Sequence, residues 1–79
     1  MDIEQQGAAA QQLLESEAFQ AVIGELKRDT MEGWTRTNPD DVDGREELYF
    51  LHLAILHLEN RLKGKVDSAK IQQANQQGA

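Results

Sequence analysis

The sequence predicts an all-α protein: an antiparallel two-helix hairpin, with helices over about 16–35 and 44–64 or longer, completed by oligomerisation into a helical bundle. Three observations predict it. Apolar residues recur at spacings of three and four in two segments, and a break rich in Asp with a single Pro separates them. The second segment also carries two adjoining apolar rows, one more than a single internal partner covers.

The first helix opens at Ser16, a good N-cap, with Glu17 in the first turn. Phe19, Val22, Ile23, Leu26, Thr30 and Trp34 then fall on one face. Phe19, Val22, Ile23 and Leu26 are the expected hairpin core. Leu13 and Leu14 are candidates for an earlier start of the same helix. Gly24 and Gly33 each weaken it by up to ~1 kcal/mol relative to Ala. Asn38-Pro39 then keeps residue 38 out of the helical region, and Asp40, Asp41, Asp43 and Gly44 continue the break. Either Asp43, with Glu46 at capping-box spacing, or Asp41 caps the second helix.

In that helix Leu48, Leu51, Ile55, Leu58 and Leu62 step by three and four as a heptad seam. Tyr49, Leu53 and Leu56 form the second row. These eight residues and Trp34 are the candidate interaction surface. Trp34 reads either as an anchor for a partner or as a plug packed near Leu48 and Tyr49. Gly64 is expected to fray or end the strongest part of the helix. The domain reading is a Gln/Ala-rich tail over 1–14, flexible or a helix extension, the helical hairpin over 15–71, and a flexible Gln-rich tail over 72–79.

Composition narrows the function. A chain of 79 residues hides only about 60% of its unfolded surface, which argues against an enzyme with a pocket of its own. Cysteine is absent, which removes disulfides, thiolate metal sites and thiol catalysis. The acidic balance, 14 acids against 8 bases, argues against nucleic acid or an anionic membrane as partner. No apolar run reaches the ~20 residues of a membrane span, and Met1-Asp2-Ile3-Glu4 has neither the basic region nor the apolar stretch of a secretory signal, so a soluble intracellular protein is expected. Charge is uneven: residues 1–47 hold 12 acids and 4 bases, residues 48–79 hold 2 acids and 4 bases. The two halves attract each other within or between chains, or the pattern simply follows the helix dipoles.

No site chemistry emerges. With Gly44 at position six of a calcium loop, Asp41 and Asp43 fit positions three and five, but Pro39 and Phe50 fall where carboxylates are required. His52 and His57 are five apart, about 140° around a helix, and do not share a face as metal ligands. Catalytic residues, metal and cofactors are all expected to be none. One internal interface of about a dozen apolar side chains roughly balances chain entropy. The second row therefore predicts a homo-oligomer, most simply a dimer forming a four-helix bundle.

The stretch from Glu15 to Ile71 resembles a group of small helical proteins encoded in virion-assembly gene clusters of tailed bacteriophages. Glu17-Ala18-Phe19, Trp34-Thr35-Arg36-Thr37, Asp43-Gly44-Arg45-Glu46-Glu47-Leu48 and the leucine-rich helix after it carry the resemblance. It implies a structural or assembly role in the host cytoplasm or the virion, with a larger phage structural protein as partner. The alternative is a small acidic inhibitor or adaptor that binds a host protein.

Overall fold

The computed structural model describes residues 1–77 and is all-helical, with three helices where two were expected: α1 (Ile3–Glu15), α2 (Glu17–Arg36) and α3 (Val42–Gln77). The additional helix is the Gln/Ala-rich opening segment. Asp2 starts it by a capping box: its carboxylate accepts from the Gln5 amide at 2.7 Å while the Gln5 side chain accepts from the Asp2 amide at 3.0 Å. Leu13 and Leu14 thus belong to a separate helix rather than to an early turn of α2.

Ser16 makes the break. Its backbone is extended (φ −67°, ψ 123°), its amide donates to the Leu13 carbonyl at 3.1 Å, and its hydroxyl accepts from the Phe19 amide at 3.2 Å. One residue therefore closes α1 and opens α2. Thr37 ends α2, donating from its amide and its hydroxyl to the Trp34 carbonyl. Asn38 turns the chain, its side-chain oxygen accepting from the Asp40 amide at 3.0 Å.

Asp41, not Asp43, caps α3. Its carboxylate accepts from the Gly44 amide at 3.0 Å and its carbonyl from the Arg45 amide at 3.1 Å, leaving Asp43 inside the first turn. A Cβ at position 44 would require the Asp41 carboxylate to shift from its present position. α3 does not end at Gly64. It runs 36 residues, about 54 Å, so residues 72–77 of the expected Gln-rich tail continue the helix, while Gly78 and Ala79 lie outside the described residues.

α1 and α2 both run back along α3. Leu48 packs at Gly33, His52 at Thr30, Glu59 at Lys27, Lys65 at Gln6 and Ala69 at Gly7. The molecule is a rod of 59 × 23 × 18 Å whose radius of gyration is 17.2 Å, against about 12 Å for a compact domain of this length. Its core is thin. Ala10, Ile23, Ile55 and Ala69 are the buried apolar residues, with Thr30 and Glu59 beside them, and no large side chain among the described residues is fully enclosed. At the α1–α3 contact, small residues replace large ones. A Cβ at Gly7 would strike that of Ala69 and lie 3.0 Å from the Lys65 carbonyl oxygen.

Candidate interaction surface

The residues of the heptad seam on α3 have unequal environments. Ile55 is buried and Leu48 and Leu62 are half-buried, but Leu51 and Leu58 are 49% and 45% exposed. The expected hairpin core divides the same way. Ile23 is buried and Phe19 half-buried, whereas Val22 and Leu26 are 52% and 40% exposed. Val22, Leu26 and Gly33 share one stripe of α2, and Gly33 meets Leu48, so Val22 and Leu26 lie on the side of the molecule where Leu51 and Leu58 open. One edge of the α2–α3 pair is therefore an aliphatic strip that joins two residues expected in the hairpin core, Val22 and Leu26, to two expected on the interaction surface, Leu51 and Leu58.

The cause lies in how the arms cross. α2 meets α3 through Leu48, His52 and Glu59, whereas α1 meets it through Lys65 and Ala69, a stripe rotated by up to about 140° around α3. A partner that shifts from one side of a helix to the other leaves part of a straight seam uncovered.

The second row makes none of the hydrogen bonds or ion pairs that hold α1 and α2. Tyr49 is 55% exposed and Leu53 and Leu56 are half-buried. Phe50, which periodicity did not single out, is 61% exposed and sits 5.8 Å from Tyr49, ring centre to ring centre. Trp34 stacks under the Arg45 guanidinium at 4.1 Å. Arg45 is half-buried by this contact. Together with Pro39, Val42, Glu46 and Tyr49 this pair lines an open cleft of about 250 Å³ at the loop end of the rod.

Polar groups fix the register of α2 on α3. Lys27 Nζ lies 2.6 Å from the carboxylate of Glu59, whose side chain is almost enclosed. The Thr30 hydroxyl donates to the Lys27 carbonyl at 2.9 Å and lies 3.2 Å from His52 Nδ1. With its one proton engaged, the Thr30 oxygen accepts, which assigns the donor role to Nδ1 of His52. His57 is exposed and lies along an open cleft beside Asn60, Arg61 and Gly64. Among the described residues no helix is long and apolar enough to cross a membrane. No family model matches this chain, and neither a similar curated protein nor a similar solved structure was found.

Proposed function

We propose that the chain is a non-enzymatic phage structural or assembly protein, a helical hairpin kinked at Ser16. It acts by pairing with copies of itself and docking on a larger virion component. The phage setting rests on the resemblance carried by the residues from Glu15 to Ile71.

One observation carries the association. The chain exposes 5976 Å², about 1,200 Å² more than a globular monomer of 8.9 kDa presents. A stable interface takes about 800 Å² from each partner, so the surplus suffices for one. Much of it is apolar, distributed over Val22, Leu26, Leu51 and Leu58 on one edge and Tyr49 and Phe50 on another. Two such surfaces accommodate a second copy and a larger partner at once. No part of the proposed role requires a cofactor or metal.

The test is absolute mass by light scattering over a range of concentrations, at low and high salt. The expected result is a discrete oligomer that survives high salt, because apolar contacts are not screened. A monomer at every concentration would sink the self-association. The inhibitor or adaptor reading draws on the acids gathered at the loop end, Asp40, Asp41, Asp43, Glu46 and Glu47. It predicts instead a complex with a host protein that weakens steeply as salt rises.

A further inference from the structure

Resting on the self-association just proposed, we infer that the partner on the outer face of α3 is a second copy of this chain, packed antiparallel about a two-fold axis between Leu53 and Leu56. Glu46, Tyr49, Leu53, Leu56, Asn60 and Lys63 step along α3 by three, four, three, four and three, a continuous heptad seam. None of them takes part in the close contacts of Leu48, His52, Glu59, Lys65 and Ala69 with α2 and α1, although Glu46 and Tyr49 border Trp34, and Asn60 borders Ile3 and Gln6, across open clefts. Glu46, Tyr49, Asn60 and Lys63 are exposed, and Leu53 and Leu56 are half-buried between them.

The order of residues along the seam is what identifies the occupant. Tyr49 stands four residues before Leu53, and Asn60 four after Leu56. Glu46 stands seven before Leu53, and Lys63 seven after Leu56. Reversing the seam thus sets leucine on leucine, a phenol on an amide and a carboxylate on an ammonium, each twice by symmetry. An isologous interface requires this self-complementarity, and an unrelated partner does not. A parallel pair instead sets Glu46 on Glu46 and Lys63 on Lys63, two like-charge contacts. In the antiparallel pair the Lys63 stem lies along Tyr49 of the second copy while its ammonium reaches Glu46. Phe50, 61% exposed, borders the seam and extends the apolar area.

Charge reversal tests the pairing by sedimentation equilibrium on the full chain, with circular dichroism confirming that each variant folds. E46K and K63E are each expected to weaken the dimer about tenfold or more, because each change creates two like-charge contacts. The double variant E46K/K63E restores both pairs and is expected within about threefold of the native constant. Orientation has its own readout, since the chain has no cysteine. N60C mixed with Y49C should form a mixed disulfide under oxidation, and N60C alone should not. A dimer indifferent to E46K and to K63E, or one that cross-links through N60C alone, overturns this seam while leaving self-association standing. A native chain that is monomeric at every concentration overturns both.

Discussion

Replacing Gly7 with Ala measures how closely α1 lies on α3. The added Cβ would strike the Cβ of Ala69 and lie 3.0 Å from the Lys65 carbonyl oxygen. Neither atom ends a flexible side chain, so relief requires one helix to back away from the other. Intrinsic helix preference opposes this, favouring Ala over Gly by about 1 kcal/mol. Overpacking costs about 1–3 kcal/mol, and a direct collision with a second tight contact belongs at the upper end. G7A is therefore expected to lose about 1–2 kcal/mol net. At Gly24 and Gly64 an added Cβ meets nothing within 4 Å, so G24A and G64A should each gain about 0.5–1 kcal/mol. Thermal unfolding at one fixed protein concentration reads the difference, because each kcal/mol moves the midpoint by about 4–8 °C. A69G removes the colliding methyl, so G7A should cost much less in an A69G background. A G7A variant as stable as G24A would refute the close approach of α1.

Two further outcomes follow from the polar contacts. K27M should destabilise by about 1–2 kcal/mol, less than a fully buried pair because the Lys27 side chain is 37% exposed, and K27M/E59L should recover that loss in urea unfolding. D41A should cost about 1 kcal/mol through the lost cap, read in the same urea unfolding experiment.

What could be read from sequence was what depends on local chemistry. Ser16 and Asp41 cap their helices because a short oxygen-bearing side chain reaches the orphan amides wherever it occurs. The Asp2–Gln5 box was equally local, but the Gln/Ala composition around it pointed to a tail and hid it. Gly7, Ala10 and Ala69 escaped for another reason. They hold α1 by letting backbones approach, and a pattern built on large apolar residues does not register small ones. The same packing explains why Gly64 fails to end α3, since its cost of about 1 kcal/mol is offset by the helix docked beyond it. On the candidate surface, periodicity placed Leu51 and Leu58 correctly in a row with Ile55, but their exposure depends on the crossing of α1 and α2 over α3. No spacing within one helix encodes that crossing.

The joint at Ser16 makes the rod two clamps in series rather than one. α1 is held by Gly7 and Ala10, which carry little apolar area, while Ile3 and Leu13 remain largely exposed. α2 is held by Ile23 together with the Lys27–Glu59 and Thr30–His52 contacts. Because no helical hydrogen-bond ladder runs through Ser16, α1 can detach without unwinding α2, and the two should behave as separate cooperative units. Amide hydrogens of α1 and α2 then exchange on separate clocks. When α1 lifts away, Leu62 and Ala69 are uncovered for as long as the opening lasts, and the far end of the longest helix becomes a landing strip that the closed rod conceals.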